Sequence, residues 1–510
     1  MRTWIWLAAA LLAALWTAPA AAQEGRWWRA ESAHFIIYGD RTERQVRQTA
    51  QMLEDFHAVL LAVTGAQQSI QIETKLEVYL LRGPADLEVV WPGAGDSVGG
   101  FYRAGGEQIA AFVRTDSVGG LADNSILLHE YAHHFMLHYF PTAYPRWYVE
   151  GFAEYVGATE FQGRRAHVGR PSSHRSDWLL HGGSFPIEHL LAPERVERRG
   201  GEFSAQFYAN AWHATNFLFN RPERLRGFNA YVALLGEGAD PIEGFEQGFG
   251  ISIREFEREL RAARGQRGAR VTVFDLGPPI AEISTTRLAR SSDDLVLPLA
   301  RLRRGHEELS AEEAASLTRL GQRAPNDPLA RLLLARVAIS QSDLTAARSH
   351  VDAILAGDEN HAEARYLLAW MILESAQEQS GQEAYATMLE ARRELARGFR
   401  ANPTHYPTLF LYASTFAGGS RPMTEDQLNV MARALELAPQ SSTIRIVLSR
   451  ELMRAGEFDA AIIALQPLLY APHNPSGATQ ARAMLEAARR RGQPPTFVEA
   501  SEEEGQSADD

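Results

Sequence analysis

The sequence predicts an α+β domain followed by an all-α helical solenoid. Three observations lead to this expectation. Short strand patterns are interleaved with an amphipathic helix over residues 27–120, and helical patterning dominates from 121 to 264. A helical pattern that recurs after 34 residues then covers residues 311–491.

The size and charge of the chain narrow the classes of protein to consider. Its 510 residues favour two or three domains. Hydrophobic residues make up 45% and charged residues 22%, which is typical of a globular protein with well-formed cores. The formal net charge is −12, but six of the acids lie in the last twelve residues. The rest is only mildly acidic, and no basic stripe indicates a nucleic-acid partner.

Residues 1–22 have the pattern of a secretory signal peptide. Arg2 supplies a positive start, an apolar segment runs from Ile5 to Trp16, and small residues offer a cleavage site after Ala22. The apolar segment is too short to span a bilayer. We therefore expect a bacterial protein that is periplasmic or secreted, with no transmembrane segment in the mature chain.

The chain contains no cysteine. This excludes disulfide bonds, a lipid-anchored cysteine and any metal site built from thiolates. A metal site in this protein would therefore use histidine and carboxylate ligands.

The front of the first domain is predicted to be a mixture of strands and helix. Residues 33–40, AHFIIYGD, and 75–81, KLEVYLL, predict strands, and residues 41–65 predict a long amphipathic helix between them. Residues 99–113, GGFYRAGGEQIAAFV, predict a hairpin with a Gly-Gly pair at its turn. This hairpin is either a plain hairpin or the strand that lines a cleft and pairs with an extended substrate backbone.

The stretch LLHEYAHHFM, residues 127–136, predicts a metal site. His129 and His133 are four residues apart, so on a helix both rings lie on one face and can reach one ion. Glu130 lies about 100° around the helix, which is too far for a ligand but close enough to reach a water molecule at the metal. Because the flanks are apolar, the helix is predicted to be buried, and a buried glutamate between two imidazoles is costly without a cation.

A second motif, PRWYVEGFAEYV at residues 145–156, supplies the remaining ligand. It places Glu150 and Glu154 four apart on another helix, and two prolines in the connection let the chain reverse. Glu150 can then complete a His-His-Glu set that leaves a fourth position open, as in catalytic zinc sites. Glu154 is placed to accept a hydrogen bond from the second ring nitrogen of a ligand, which we expect to be His129.

The two motifs, HEYAH followed by WYVEGFAEY, resemble those of the gluzincin metallopeptidases, the clan that contains thermolysin-like enzymes and zinc aminopeptidases. The EGFAEY block is similar to that of the bacterial peptidase MA-like group. The resemblance implies a thermolysin-like zinc peptidase domain over residues 23–264. It implies that zinc is the cofactor, with His129, His133 and Glu150 as ligands, and that Glu130 is the general base.

The chain differs from other zinc peptidases in informative ways. Sixteen residues separate His133 from Glu150, fewer than in the aminopeptidases of the clan. Their glycine-and-acid motif for a substrate's free amine has no counterpart here, so we do not expect aminopeptidase activity. The metzincin motif is excluded because it needs Gly and His where this chain has Met136 and Tyr139.

Hydrolysis of a peptide bond also needs a donor for the oxyanion. Residues 206–218, QFYANAWHATNFL, predict a helix in the region where related enzymes carry a tyrosine donor. Tyr208 is therefore the candidate and His213 the alternative. Tyr208 and Trp212 are also four apart, so a role as a core pair on one helix face is equally compatible with the sequence.

A second pair of histidines follows the metal motif. His134 and His138 are also four residues apart, but they face away from the side of the helix that carries His129 and His133. No acidic residue pairs with them in the sequence. We therefore predict surface or supporting roles for both.

Residues 265–310 are predicted to be a linker region, although VTVFDLG at 271–277 could be a strand. At the other end of the chain, residues 492–510 are predicted to form a disordered acidic tail.

Residues 311–491 carry the internal repeat. LLLARVAIS at 332–340 aligns with YLLAWMILE at 366–374, a shift of 34 residues. This period, with two helices per unit, resembles that of tetratricopeptide (TPR) repeats, in which each hairpin buries its apolar faces against its neighbours. We expect three to four units and a capping helix at about 476–490. The alternative is an irregular helical bundle.

These expectations lead to two hypotheses. In the first, the protein is an exported zinc-dependent metallopeptidase whose repeats recruit a protein substrate or a partner protein. In the second, the repeats form an envelope scaffold or an assembly or quality-control factor, and the peptidase-like domain is inactive. Glu130 favours the enzyme, because a purely structural metal site has no use for an acid at that position.

Overall fold

The computed structural model describes residues 24–66, 72–95, 98–116, 125–170, 173–181, 185–196, 200–264, 271–279, 282–305, 308–377, 379–471 and 475–496. The predicted signal peptide and residues 497–510 of the predicted acidic tail lie outside these ranges. None of the described helices combines the length and the apolar character needed to cross a bilayer.

The described residues form nine strands and a series of α-helices. The strands are β1 (Glu24–Glu31), β2 (Phe35–Gly39), β3 (Leu76–Leu81), β4 (Gly100–Ala104), β5 (Ile109–Arg114), β6 (Glu160–Gln162), β7 (Arg165–Val168), β8 (Thr272–Asp275) and β9 (Ser284–Ala289). The helices of the first part are α1 (Glu43–Thr64), α2 (Pro84–Val90), α3 (Ser125–Tyr139), α4 (Arg146–Gly157), α5 (Ser173–His181), α6 (Ile187–Leu191), α7 (Gly201–Phe219), α8 (Leu225–Gly236), α9 (Pro241–Phe249), α10 (Ile253–Arg264) and α11 (Ser292–Leu302). The later helices are α12 (Ala311–Gly321), α13 (Pro328–Ser340), α14 (Leu344–Gly357), α15 (Ala362–Ser375), α16 (Gly381–Ala401), α17 (Tyr406–Ser414), α18 (Glu425–Leu437), α19 (Ser442–Ala455), α20 (Phe458–Leu465) and α21 (Pro475–Arg489). The predicted order, an α+β part followed by helices, is confirmed.

A mixed six-stranded sheet forms the front of the molecule, in the order β4-β5-β3-β2-β1-β9. Strands β2, β3 and β5 run parallel, and the outer pairs are antiparallel. The predicted helix over 41–65 is α1, which begins at a capping box on Thr42 and ends at Gly65 with a positive φ of 68°.

The sheet is covered on both faces because side chains alternate along each strand. Val78 and Leu80 of β3 share a core with Val46 and Leu53 of α1. Tyr79 and its neighbours on the opposite face share a second core with α2 and α11. The sheet is thus the middle layer of three, and β4 lies at one of its edges.

Much of the predicted linker region is folded. Strand β8 joins β6 and β7 in a small antiparallel sheet, and β9 pairs with β1 at the edge of the large sheet. Helix α11 is buried over nearly its whole length. The sequence signal is weak here because β8 and β9 are mostly exposed and show no clear apolar alternation.

Four helical hairpins follow, formed by α13–α14, α15–α16, α17–α18 and α19–α20, with α21 after them. The first helix of a hairpin is buried on most sides, as in α13. The second is buried along one face only; in α14 this face consists of Ala347, Val351 and Ile354. The capping helix predicted at about 476–490 corresponds to α21.

The hairpins contact the first part of the chain at several points. Arg336 Nη1 of α13 lies 2.9 Å from Glu107 Oε2 in the β4–β5 turn, and the Tyr406 hydroxyl donates a hydrogen bond to the Gly105 carbonyl at 3.0 Å. The last hairpin shares a hydrophobic core with α8 and α9. The hairpins therefore contact the chain's own first domain through α13, α17 and the last hairpin.

A buried ionic network reinforces this contact. The Arg336 side chain is only 5% exposed, and its Nη2 atom lies 3.0 Å from Glu363 Oε1. Glu363 also forms an ion pair with a second arginine, since Arg303 Nη2 lies 2.7 Å from Glu363 Oε2. Burial by itself would raise the pKa of Glu363, but the two arginines hold it well below its ordinary value.

Candidate metal centre

Helix α3 carries the HEYAH motif and is buried on nearly all sides. His129, Glu130 and His133 are 4%, 1% and 5% exposed. The helix lies against β4 and β5 on one side and against α4 on another. Burial on nearly all sides explains why α3 carries apolar residues on every face.

Two glycines allow α4 to approach its neighbours closely. A Cβ atom at Gly157 would lie 3.2 Å from the backbone of His129, and one at Gly151 would lie 2.3 Å from the Ala211 carbonyl oxygen of α7. Gly151 is the glycine of the EGFAEY block. Its missing side chain lets α4 fit between α3 and α7, which places Glu150 opposite the two histidines.

Three ligand atoms converge between α3 and α4. The Nε2 atoms of His129 and His133 lie 3.0 Å apart, and Glu150 Oε2 lies 3.5 Å from each of them. Ligands about 2.0–2.1 Å from a tetrahedral zinc ion are about 3.3–3.4 Å from one another. The triangle therefore has the size of three ligands of one ion, and it is the metal-compatible group found among the described residues.

The charges around this triangle also fit a divalent cation. Glu150 is completely buried, and Glu130 and Glu154 add two more carboxylates, with Arg175 as the cation beside Glu154. Three carboxylates and one guanidinium leave two negative charges. Buried charges of this kind are stable only when they are compensated, and one divalent ion would balance them.

Glu130 follows His129 directly on α3 and is buried. Burial and then the Glu130 carboxylate raise the pKa of Tyr102 on β4 well above its ordinary value. The Glu130 carboxylate is therefore within electrostatic range of Tyr102 at the edge of the sheet.

Glu154 lies one helical turn beyond Glu150, and its Oε1 atom is 3.5 Å from His129 Nδ1. This is the position predicted for it from the sequence. The structure adds Arg175 of α5, which donates two hydrogen bonds to the Glu154 carboxylate. Arg175 could not be found from the sequence, because α5 carries no motif and the contact of Arg175 with Glu154 depends on how the helices pack.

Tyr208 and His213, the two candidate oxyanion donors, have different surroundings. Tyr208 is half-buried, and its ring makes an edge-on contact with the His129 ring at a centroid distance of 6.5 Å. His213 is buried, and its Nε2 atom lies 2.9 Å from the Leu260 carbonyl of α10. Of the two, Tyr208 is the one in contact with a ligand of the triangle. Trp212 is buried and stacks on His213.

Of the two roles predicted for His134, at the surface or in support of the site, the surface role is wrong. It is 3% exposed, with Nδ1 3.0 Å from the Tyr102 hydroxyl. The amide of Gln440, between α18 and α19, donates to its carbonyl at 3.3 Å. Burial lowers the pKa of His134 well below its ordinary value. The repeats cover this face of α3, which local sequence cannot show.

His138 is only partly buried. Burial and then His34 lower its pKa to about 4.

Comparison of the chain with known protein families, with curated proteins and with solved structures finds no match. The functional argument therefore depends on the geometry and chemistry of this centre.

Proposed function

We propose that the protein is an exported zinc-dependent metallopeptidase of the gluzincin type. The observation that carries this proposal is the triangle of His129, His133 and Glu150 atoms, together with the buried acid Glu130 that follows His129 on the same helix. A structural zinc site closes with four protein ligands, whereas three ligands and a neighbouring acid are typical of a hydrolytic site.

Zinc, when bound by these three residues, would acidify a water molecule and polarise the scissile carbonyl. Glu130 takes a proton from the attacking water and returns it to the leaving amine. Its burial beside the sheet edge keeps bulk water away from the carboxylate and strengthens its interaction with the charges near it.

Two further residues support this chemistry. Glu154 accepts a hydrogen bond from the Nδ1–H group of His129, which leaves Nε2 free to act as a ligand. Tyr208 contacts the His129 ring and is the proposed donor to the oxyanion.

Strand β4 is the proposed docking edge for the substrate backbone. Among the described strands it pairs only with β5, and its Tyr102 lies close to Glu130. An extended peptide could add to this edge as a further strand, because edge strands offer unpaired backbone groups.

The repeats are proposed to be of the TPR type and to serve the peptidase. Their first helices already contact the first domain, and Gln440 reaches the metal-binding helix α3. These contacts favour repeats that act together with the peptidase domain over the alternative of a scaffold with an inactive domain. A recruited protein would bind the exposed sides of the second helices.

The test of this function is Glu130→Gln in the mature chain, residues 23–510, loaded with zinc. Hydrolysis of a mixed library of internally quenched peptides should fall by about 10²-fold or more, because the base is lost. Zinc content should stay that of the parent, because Glu130 is not a ligand. Glu312→Gln, at an exposed position of α12, is the matched control and should keep full activity. Undiminished hydrolysis by Glu130→Gln would refute the assignment of the base, and no hydrolysis by the parent would refute the function.

A further inference from the structure

Arg175 contacts Glu154 and Tyr208, two of the residues that lie against His129. Its Nε atom donates to Glu154 Oε2 at 2.9 Å, and its Nη2 atom donates to Glu154 Oε1 at 2.8 Å. The two side chains are only 13% and 12% exposed. A paired, nearly buried fork of this kind holds a carboxylate in one orientation more firmly than a single hydrogen bond does.

The same guanidinium also contacts Tyr208. Its central carbon lies 4.8 Å from the centre of the tyrosine ring, which is within the range of a cation–π interaction. That ring in turn makes the edge-on contact with His129. Arg175 therefore contacts both Glu154 and Tyr208, which in turn lie against the histidine.

We propose that Arg175 is a positioning residue of the metal centre, which rests on the proposed function of this centre as a zinc site. The Glu154 oxygen that receives Arg175 Nη2 is the one 3.5 Å from His129 Nδ1. A fixed carboxylate at Nδ1 selects the tautomer in which Nε2 carries the lone pair. Arg175 thus sets, through Glu154 and Tyr208, which nitrogen of His129 faces the metal and in which direction.

A purely structural role makes a different prediction. If the ion pair served only to hold α5 against α4, its loss would lower the stability of the fold and leave the affinity for zinc unchanged. Arg→Lys separates the contributions further, because lysine keeps the charge but loses the planar fork and the stacking on tyrosine.

The experiment measures the Kd for zinc by competition with a chromophoric chelator. The proteins are the mature chain and its variants Arg175→Lys, Arg175→Gln, Glu154→Gln and the double variant Arg175→Gln/Glu154→Gln, each checked for folding by thermal melting. Arg175→Gln should weaken binding by about 10-fold or more, the usual effect of losing a partner of a ligand. Arg175→Lys, which keeps the proposal testable if the glutamine variant does not fold, should weaken binding by about 3-fold or more.

The double variant tests the route of the effect. Because Arg175 and Glu154 act through the same histidine, the Kd for zinc of the double variant should be about that of whichever single variant, Arg175→Gln or Glu154→Gln, binds zinc less tightly. Arg165→Gln is the control, since Arg165 is 67% exposed in a surface ion pair, and it should leave Kd within about 2-fold.

The proposal would be overturned by folded Arg175 variants with a Kd within about 2-fold of the parent, or by losses that multiply in the double variant. A parent that binds no zinc would overturn it as well. Failure of the proposed function is seen separately, as a zinc-loaded parent that hydrolyses no peptide while Arg175→Gln still weakens zinc binding.

Discussion

Gly151→Ala is the perturbation that tests most sharply how the fold positions Glu150. A methyl group at this site would lie 2.3 Å from both the Ala211 carbonyl oxygen and Thr215 Oγ1, so α4 and α7 would have to separate by about 1 Å to restore normal contact. Overpacking of this kind costs about 1–3 kcal/mol. It opposes the gain of up to about 1 kcal/mol that alanine brings to a helix interior.

The assay compares Gly151→Ala with Gly357→Ala, a helical glycine whose added Cβ would meet nothing within 4 Å. Urea unfolding should show a loss of stability for Gly151→Ala and a neutral or slightly positive change for Gly357→Ala. The affinity for zinc should fall in the first variant only, because Glu150 is the residue next to Gly151. A Gly151→Ala protein as stable as the parent, with unchanged zinc affinity, would refute the reasoning.

Three further predictions concern the stability of the fold. Burial, then His34, lowers the pKa of His57 to about 3, so between pH 6.5 and about 3 the unfolded state binds the proton more readily and the free energy of unfolding decreases by about 1.4 kcal/mol for each unit by which the pH is lowered. His57→Gln should remove this slope from the free energy of unfolding between about pH 6 and 4, and an equal effect of His181→Gln, at an exposed position, would contradict this. Gln440→Ala removes the amide that donates to the buried backbone of α3 and should lower the free energy of urea unfolding by about 1–3 kcal/mol; no change would mean that this contact is dispensable. Arg336→Ala removes the arginine that pairs with Glu107 and one of the two arginines that pair with Glu363, and it should cost about 3–5 kcal/mol in the same assay. A loss below about 1 kcal/mol would show that the network is solvated.

Local spacing made the two helices of the metal centre predictable. Residues four apart share a helix face whatever the rest of the chain does, so the pairing of His129 with His133, and the place of Glu154 one turn from Glu150, followed from the sequence. The helical hairpins were predictable for a similar reason, since the sequence pattern of residues 332–340 recurs after 34 residues, at 366–374.

Contacts between distant segments were not predictable in this way. Strand β9 pairs with β1 across more than 250 residues, and its exposed, irregular pattern gives no sign of a sheet edge. The burial of His134 depends on Gln440 from the repeats, and the place of Arg175 depends on how α5 packs. Each of these is a tertiary effect that overrides the local pattern.

Zinc content is the measurement that tests the central claim most directly. The mature chain, purified with zinc present and then dialysed, should retain about one zinc ion per chain. His133→Ala should retain almost none, and His138→Ala, one turn further along the same helix and not a ligand, should retain as much as the parent. A folded parent that retains no zinc, or a His133→Ala variant that retains it fully, would contradict the assignment of this centre.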